Sequence, residues 1–511
     1  MNTSPVRVGW RESLAIIADR KTLIMLCLGF SAGIPILLIF SSLSLWLREA
    51  GVERATVTFF SWAALGYSFK FVWAPLVDRL PLPVLTRWLG LRRGWLLLSQ
   101  LLVIVAIVGM AQVNPATSEV ALIWMAVFAV MLGFSSATQD IVIDAYRIES
   151  ANARMQAIMA SSYIAGYRVG MIVAGAGALF LAAYWGSSAD QYDYHAWQLT
   201  YWCMAATMGI GVLTTLAIAE PSIPDRLAVN HADHGKLLLV FALTVAAFVA
   251  VFYVLGGPLE QWAKAWEAGA FMKLCLASLR MGVALAAAFA IGRLLVSVGV
   301  VPMETARVTW VAPVSEFFQR YGASTAWLLL ALIGLYRISD IVLGVISNVF
   351  YQDMGFSKPE IAAAVKTFGV VVAIAGGFLG GILANRVGVM RSLMWGAILS
   401  ALTNLLFVVL AQVGHQVEWL YAVVAADNLA AGLASAAFVA FLSSLTQVSF
   451  TAVQYAIFSS LMTLLPKTLG GYSGGMVDAM GYSNFFIMTA LMGLPVLALI
   501  AWARTRLGVS D

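Results

Sequence analysis

The sequence predicts an all-α membrane protein with about fourteen transmembrane helices, arranged as two six-helix bundles with two extra transmembrane helices between them. Its composition is the first reason, since 61% of the 511 residues are hydrophobic and only 11% are charged, whereas roughly a quarter of an average soluble domain is charged. The second reason is a series of apolar stretches of about 20 residues, each long enough to cross a bilayer. The third is a repeat between the two blocks of spans. Lipid must therefore cover much of the surface.

The predicted spans fall into three groups along the chain. The first six are residues 22–47, 55–77, 94–112, 119–146, 154–184 and 197–218. Two more follow a polar segment, at 237–256 and 271–300. The last six are 325–350, 360–384, 392–412, 417–446, 450–477 and 482–503. These groups predict an N-terminal bundle at 1–220, a cytoplasmic linker with the two extra helices at 221–320, and a C-terminal bundle at 321–511.

The positions of the cations predict the orientation of these spans, because cytoplasmic loops retain an excess of Lys and Arg. Cations precede the first span and occupy alternate loops: Arg7, Arg11, Arg20, Lys21, Arg79, Arg87, Arg92, Arg93, Arg386 and Arg391. The opposite loops carry acidic residues and few cations: Asp190, Asp193 and Glu418. Both termini are therefore expected in the cytoplasm, and an even number of spans requires them to lie on the same side.

The two six-helix blocks resemble each other at equivalent places. Residues 156–162 match 454–460, and residues 47–52 match 352–356. Transporters built from parallel repeats show such weak internal similarity, with the halves related by an axis along the membrane normal.

The loops between the second and third spans of each block carry a further motif. Asp78 and Arg79 follow Pro75 in the first block, and Asn385 and Arg386 follow a glycine-rich run in the second. Both resemble the G-x-x-x-D-R-x-G-R signature of the major facilitator family, which implies the major facilitator fold. We expect these four residues to latch the cytoplasmic helix ends, a gating or structural role.

Cations inside the predicted spans are the strongest functional signal. There are about seven, each costing about 2.5–3.5 kcal/mol at a lipid-exposed helix centre, so most must face water or a partner. They are Lys70, Arg168, Arg280, Arg293, Arg337, Lys366 and Lys467. Arg293 and Lys467 lie near span ends, where long side chains reach the interface. Arg280 lies in the extra pair and has no assigned role.

Carboxylates within the spans supply partners for these cations. Asp140 and Asp144 are four residues apart on one helix face, with Arg147 three residues further on. Arg337 and Asp340 have a similar spacing, and Asp427 lies in a later span. One interpretation is a polar cavity in which cations hold an anionic substrate and a carboxylate binds and releases a proton. The other is static ion pairing that fixes helix packing.

Depth in the membrane separates these roles. Asp144 and Arg147 lie near the cytoplasmic end of their span, so a gating or structural role is favoured for them. The deeper residues are expected in the cavity: Lys70, Asp140, Arg168, Arg337, Asp340 and Lys366.

Other motifs argue against a cofactor, a metal or a nucleic-acid partner. Gly166 with Gly170, and Gly376 with Gly380, fit helix packing and lack the strand and Lys-Ser pair of a phosphate loop. The three cysteines and the segment His231–His234 show no metal-binding arrangement. The basic residues are scattered singly, which does not indicate nucleic-acid binding.

The stretches Ser136–Arg147 and Gly166–Met171 closely resemble the AmpG-type muropeptide permeases. Further similar stretches are Gly29–Pro35, Phe69–Arg79, Leu335–Arg337 with Asp340, Lys366–Gly369, Asp427-Asn428 and Ala452–Ala456. The resemblance implies proton-driven import of N-acetylglucosamine-1,6-anhydro-N-acetylmuramyl peptides from periplasm to cytoplasm for cell-wall recycling. It also implies the bacterial inner membrane, and we expect a monomer that binds only this glycopeptide, protons and lipid.

The resemblance also suggests roles for individual residues. The carboxylates of such a substrate could pair with Lys70, Arg168, Arg337 and Lys366. Its sugars could bind Gln139, Tyr163, Gln454 and Tyr455. The candidates for proton coupling are Asp140, Asp340 and Asp427. Arg147 and Asp427 depart from the Lys and Glu expected in this family.

Two alternatives remain open. Acetyl-coenzyme A transporters share the Gln-Asp pair of the fourth span, so another organic anion, such as an acyl-coenzyme A or a siderophore, is a competing substrate. A membrane sensor or scaffold is the third hypothesis, although no polar segment is long enough for a signalling domain.

Overall fold

The computed structural model describes most of the chain and is helical wherever it forms regular structure. The described residues are 19–52, 60, 67, 69–150, 153–188, 191–221, 233–266, 270–470 and 473–507. Among them are 13 helical segments that are long and apolar enough to cross a membrane. These correspond one to one with the predicted spans except 55–77, most of which lies outside the described residues. The predicted all-α, multi-pass membrane fold is confirmed.

The first half of the chain contains ten described α-helices. They are α1 (Arg20–Leu37), α2 (Leu43–Glu49), α3 (Ala74–Arg79), α4 (Leu85–Leu89), α5 (Leu91–Ala111), α6 (Glu119–Ser150), α7 (Ala153–Ile172), α8 (Ala178–Tyr184), α9 (Tyr194–Thr207) and α10 (Gly209–Ala217). Single π-turns at Leu38–Ser42 and Val173–Gly177 join α1 to α2 and α7 to α8, and Lys70–Val72 is a 3₁₀ turn.

The remaining described helices continue the chain order. The extra pair and the segment after it are α11 (His234–Ala265), α12 (Ala270–Ser297), α13 (Met303–Ala306) and α14 (Ala312–Tyr321). The second half follows as α15 (Ala323–Leu335), α16 (Ile338–Asp353), α17 (Lys358–Ile361), α18 (Gly369–Val387), α19 (Val389–Val413), α20 (Val417–Leu445), α21 (Thr451–Gly470), α22 (Ser473–Leu491) and α23 (Gly493–Arg506). A π-helical segment at Ala362–Phe368 joins α17 to α18.

The chain forms two compact units. One contains the described residues of Met1–Ala74, Pro81–Pro224 and Tyr321–Asp511, and so holds helices of both six-helix blocks. The other contains Pro75–Leu80 and the described part of Asp225–Arg320, including both extra helices. The threefold domain division stays a prediction.

Glycines set how closely the helices of the first block approach. A Cβ at Gly29 or Gly33 of α1 would lie 2.2 or 2.1 Å from a backbone carbonyl oxygen of α7. In return, a Cβ at Gly166 or Gly170 of α7 would lie 2.0 or 2.2 Å from a carbonyl oxygen of α1. Only glycine permits this backbone contact, as predicted for small-xxx-small packing. It fixes the position of α7, which carries two candidate site residues.

The second block uses the same device between α18 and α20. A Cβ at Gly376 would lie 2.3 Å from the Leu429 carbonyl oxygen, and one at Gly380 would lie 2.6 Å from that of Leu433. Gly432 of α20 is equally close to the Ala373 carbonyl oxygen, at 2.2 Å. The packing role predicted for Gly376 and Gly380 is therefore confirmed.

Candidate substrate and proton site

One group of charged side chains lies in the first half of the chain, and we call it the first charge group. It consists of Lys70, Asp140, Asp144 and Arg147. The Lys70 Nζ atom lies 3.8 Å from an Asp144 carboxylate oxygen, and an Arg147 Nη atom lies 3.4 Å from the other oxygen. Asp140 is close enough to Lys70 and Asp144 for electrostatic interaction. All four are buried.

Tyr163 connects this group to α7. Its hydroxyl donates a hydrogen bond of 3.3 Å to an Asp140 carboxylate oxygen. The Tyr163 backbone is the one that α1 approaches through Gly29. The glycine contact therefore positions the hydroxyl that binds Asp140.

A second charge group crosses between the two halves of the chain. It consists of Arg168, Arg337, Asp340 and Asp427. An Arg337 Nη atom donates a hydrogen bond of 3.0 Å to Asp340, and the Arg168 guanidinium is near enough to be repelled by Arg337 and attracted by Asp340. Asp427 interacts with Asp340 and Arg337 and hydrogen-bonds to Thr403. This arrangement brings Arg168 and Asp427 to the pair Arg337 and Asp340, which the sequence had already paired by their spacing.

A break in the seventh span of the twelve-helix core positions Arg337. Helix α15 ends at Leu335 and α16 begins at Ile338, with Arg337 as its N-cap. Asp340 lies in the first turn of α16, where a carboxylate is stabilised by the helix dipole. Membrane transporters commonly form binding sites at such discontinuous helices, because the break frees backbone groups for ligands.

Hydrogen bonds to neighbouring helices hold this break in place. The Tyr336 hydroxyl donates to the Leu393 carbonyl oxygen at 3.1 Å. The Ser339 hydroxyl donates to the Thr489 carbonyl oxygen at 2.8 Å and accepts from the Asn404 amide at 2.8 Å. Residues on both sides of Arg337 are thus fixed, which orients its side chain. The Arg337 Nε atom is buried and has no hydrogen-bond partner among the described residues, so its donor is unsatisfied in this conformation.

Three contacts between the two halves lie in the parts of the helices nearer the ends that the sequence predicts to be cytoplasmic. Arg147 donates a hydrogen bond of 2.8 Å to the Ser443 hydroxyl of α20, and its guanidinium lies over the Tyr455 ring of α21 at 5.2 Å. Ser161 of α7 donates to the Gly377 carbonyl oxygen of α18 at 2.7 Å. We call these contacts the latch.

Two predicted sugar-binding residues have other partners in this conformation. Gln139 is fully buried and donates a hydrogen bond of 3.0 Å to the Ser31 hydroxyl of α1. Gln454 is buried, and its Oε1 atom accepts the backbone N–H of Gln447 at 2.7 Å. Both side chains are held by these contacts within the protein. This conformation therefore does not support substrate contact by either residue. Tyr455 is likewise buried against Arg147.

The remaining predicted residues belong to neither charge group or cannot be described. Lys366 lies in the π-helical segment Ala362–Phe368, but its side chain is outside what the structure describes. Asp78 and Arg79 are buried at the end of α3, in the unit of the extra helices. Asn385 and Arg386 lie in the last turn of α18. Their latching role stays a prediction.

Sequence reasoning missed residues that complete the latch. Gln156 donates hydrogen bonds to the carbonyl oxygens of Arg147 and Ile148 at 3.2 and 3.0 Å, and it accepts from the Arg147 guanidinium. Its repeat equivalent, Gln454, binds the connection before its own helix. The repeat was a signal that the two glutamines share a role, namely tying the start of a helix to the chain before it.

Two glutamates near the same helix ends were also missed. The Arg92 guanidinium is buried and pairs with Glu149 at 2.5 Å. The Glu220 carboxylate accepts the backbone N–H groups of Arg92 and Arg93 at 2.8 and 3.0 Å, which caps the N-terminus of α5. These contacts fix three spans to one another and are structural.

Each charge group contains two cations and two carboxylates, so its formal charges balance when all four are ionised. Protonation of one carboxylate would leave the group with one net positive charge. Such a group attracts an anion more strongly, and a bound anion in turn favours protonation, since linkage is reciprocal. This arrangement can therefore couple the binding of a proton to that of an anionic ligand.

The fold is that of the major facilitator superfamily. The chain resembles the proton:xylose symporter XylE bound to 6-bromo-6-deoxy-D-glucose, with a TM-score of 0.60 at 13% identity and 94% coverage of both chains. A POT family transporter in complex with a thioalcohol-conjugated peptide gives 0.56 at 11% identity, covering 96% of this chain and 97% of that one.

Relatives define the family within that fold. The anhydromuropeptide permease of Escherichia coli K12 is 30% identical over 497 residues, covering 97% of this chain and 82% of the relative. The putative transporter AmpG 4 of Rickettsia conorii is 29% identical over 97% of this chain and 99% of the relative. A family model described as acetyl-coenzyme A transporter 1 matches residues 21–192. The chain belongs to the AmpG-type anhydromuropeptide permease family, as the resemblance in its motifs predicted.

Proposed function

We propose that this protein imports anhydromuropeptides from the periplasm to the cytoplasm, driven by the proton gradient, for peptidoglycan recycling. The observation that carries the proposal is the pair of charge-balanced groups inside the membrane domain of a chain 30% identical to an anhydromuropeptide permease. In this proposal the substrate crosses unchanged. The protein acts as a monomer in the bacterial inner membrane, with both termini in the cytoplasm.

The second charge group is the proposed substrate site. The guanidinium groups of Arg168 and Arg337 come from opposite halves and repel each other, so a carboxylate between them would relieve that repulsion. Arg337 remains 25% exposed at its side chain and has a free Nε donor among the described residues. Muropeptides carry carboxylates on their peptide, and Arg binds carboxylates through charge-assisted hydrogen bonds.

The first charge group is the proposed site of proton coupling. Asp140 lies next to Lys70 and Asp144, and Arg147 links the same group to the latch through Ser443. A proton on Asp140 changes the balance of charge around Lys70 and Asp144, and so alters the pairing available to Arg147. The latch contact can respond to the proton in this way, which is the requirement for coupling transport to a gradient.

The direction of transport is supported by the position of the latch. The latch contacts lie toward the predicted cytoplasmic side, so in this proposal the conformation is closed on that side. A transporter that takes up substrate from the periplasm must visit such a state, in which the opposite side admits the substrate. Opening the latch would then release substrate to the cytoplasm.

An acyl-coenzyme A is the second candidate substrate, since the acetyl-coenzyme A transporter model matches residues 21–192. That match covers the first charge group and ends before Arg337, Asp340 and Asp427. An acyl-coenzyme A is also anionic, so charge alone does not separate the two. The proposal favours a muropeptide because the E. coli relative matches along both halves.

Uptake into vesicles tests the proposal. Purified protein is reconstituted into proteoliposomes, and a pH gradient is imposed that is acidic on the side to which substrate is added. Labelled anhydromuropeptide should accumulate above its external concentration only while the gradient lasts. Protein-free liposomes, and collapse of the gradient by a protonophore, are the controls.

Competition separates the two substrates in the same assay. Excess unlabelled anhydromuropeptide should inhibit uptake, and acetyl-coenzyme A at the same concentration should not. Uptake of labelled acetyl-coenzyme A in place of the muropeptide would select the second candidate. Muropeptide uptake that only equilibrates, whatever the gradient, would remove proton coupling from the proposal.

A further inference from the structure

Arg280 lies in the extra helical pair and takes no part in the site described above. It is on α12, ten residues from the first residue of that helix, Ala270. Its side chain contacts Phe252 of α11. Phe252 lies 16 residues from Lys236, or about 24 Å along a helix. The hydrocarbon core of a bilayer is about 30 Å thick. Arg280 is therefore close to the membrane interface opposite Lys236.

The surroundings of α11 support that depth. The apolar stretch 237–256 ends just beyond Phe252, and the polar residues Glu260 and Gln261 follow. Tyr253, which follows Phe252 directly, is 81% exposed. Exposed aromatic residues of this kind mark the headgroup level of a bilayer.

The Arg280 guanidinium is held in place on one side. Its Nε atom donates a hydrogen bond of 2.7 Å to the Phe252 carbonyl oxygen, and its Cζ atom lies 3.8 Å from the centre of the Phe252 ring. The Nη1 and Nη2 atoms have no hydrogen bond and no carboxylate partner in the part of the chain that the structure describes. Among the side chains that the structure describes, the cation is thus oriented but not neutralised.

A cavity of about 400 Å³ lies beside this cation. Tyr253, Val254, Gly256, Gly257 and Arg280 line it, and none of them carries a negative charge. Gly256 makes the space, since a Cβ there would lie 2.4 Å from Nη2 and 3.2 Å from Nη1 of Arg280. A Cβ at Gly257 would meet nothing within 4 Å.

We propose that this cavity binds the phosphate of an anionic phospholipid, with Arg280 as its cationic ligand. Two free Nη donors match the two oxygens of a phosphodiester, which Arg binds in a bidentate manner. The exposed apolar residues of the same two helices, such as Val249, Val254 and Leu279, offer a surface for the acyl chains. By the proposed topology the lipid belongs to the periplasmic leaflet. The site itself does not depend on which substrate is transported.

Lipid titration of the purified full-length protein tests the proposal. Phosphatidylglycerol added to protein in a neutral detergent should be retained in native mass spectra and raise the thermal midpoint, and phosphatidylcholine should do neither. Arg280→Met should weaken phosphatidylglycerol binding at least about tenfold, because charge-assisted hydrogen bonds are lost. Arg280→Lys should give an intermediate affinity, since it keeps the charge without the planar donors.

Two matched glycine substitutions test the cavity in proteins that keep Arg280, in case the arginine variant does not fold. Gly256→Leu should weaken phosphatidylglycerol binding by filling the cavity. Gly282→Leu should bind as wild type, because Gly282 of α12 does not line the cavity and a Cβ there would meet nothing within 4 Å. Equal binding by wild type, Arg280→Met and Gly256→Leu would overturn the proposal. A thermal shift with inorganic phosphate as large as that with the lipid would also overturn it, in favour of a site for free anions.

Discussion

The two charge groups have the same formal composition but very different surroundings. Lys70, Asp144 and Arg147 of the first group are buried, with side chains at most 9% exposed, and the group is joined to the opposite half through Ser443 and Tyr455. In the second group the Arg337 side chain is 25% exposed and its Nε atom has no partner within the described residues.

This difference suggests a division of labour within one transporter. A sealed group with internal partners can exchange a proton and transmit the change to the latch, but it offers little room for a large ligand. An open group with a spare donor and two mutually repelling cations can bind the ligand directly. The predictions below test this division by treating equivalent residues of the two groups in the same way.

The largest effect is expected from Asp140→Asn. We expect gradient-driven accumulation of muropeptide in proteoliposomes to be abolished, because the amide cannot take up and release the proton. Exchange of external for internal substrate should persist, since the latch can still open and close. The amount of folded protein should match wild type.

Asp427→Asn is the matched variant for that prediction. It removes a carboxylate from the second group, so it should retain accumulation and change KM. Accumulation that survives Asp140→Asn but is lost in Asp427→Asn would reverse the roles of the two groups.

The next effect concerns stability. Arg147→Gln should lower the free energy of unfolding by about 3–5 kcal/mol, because it leaves two buried carboxylates with Lys70 as their one cation in the group. Arg337→Gln should cost clearly less, since its pair with Asp340 is partly exposed to water. Thermal or denaturant unfolding of the purified proteins in one detergent measures both, and equal losses would contradict the comparison.

Substrate affinity should depend more on the second charge group than on the first, the opposite of the order expected for stability. Arg168→Gln and Arg337→Gln should each raise KM by about tenfold to a hundredfold, the equivalent of one charge-assisted hydrogen bond of about 1.5–3 kcal/mol. Initial rates of uptake over a range of muropeptide concentrations give this value. An unchanged KM with a reduced yield of folded protein would assign both arginines to packing.

The smallest effect is expected at Gln139. Gln139→Leu removes one buried hydrogen bond to Ser31, so the free energy of unfolding should fall by about 1 kcal/mol. KM for muropeptide should stay as in wild type, because the side chain faces α1. A tenfold rise in KM with unchanged stability would restore the substrate contact that the resemblance suggested.

Local spacing was enough to predict part of the candidate site. Asp140 and Asp144 share a helix face because they are four residues apart, and Arg337 reaches Asp340 because it is three residues away. Charges inside apolar spans marked these residues as functional. Spacing could not give the orientation of Gln139, which is adjacent to Asp140 in sequence but points toward another helix.

Long-range contacts were beyond such reasoning. Nothing local pairs Arg147 with Ser443, nearly 300 residues away, or brings Arg168 next to Arg337. The break at Arg337 has no proline beside it and only one glycine nearby, Gly334. Hydrogen bonds from Tyr336 and Ser339 to other helices maintain the break.

The sequence by itself determined the membrane class, the spans, the repeat and the family, because apolar length, charge depth and motif spacing are properties of a continuous stretch of chain. Only the tertiary structure decided how the charges divide into a sealed and an open group, and which ends of the two halves are closed. Those features depend on how each helix is rotated against its neighbours. Glycine contacts between helices such as α1 and α7 set that rotation, and they join residues far apart in the chain.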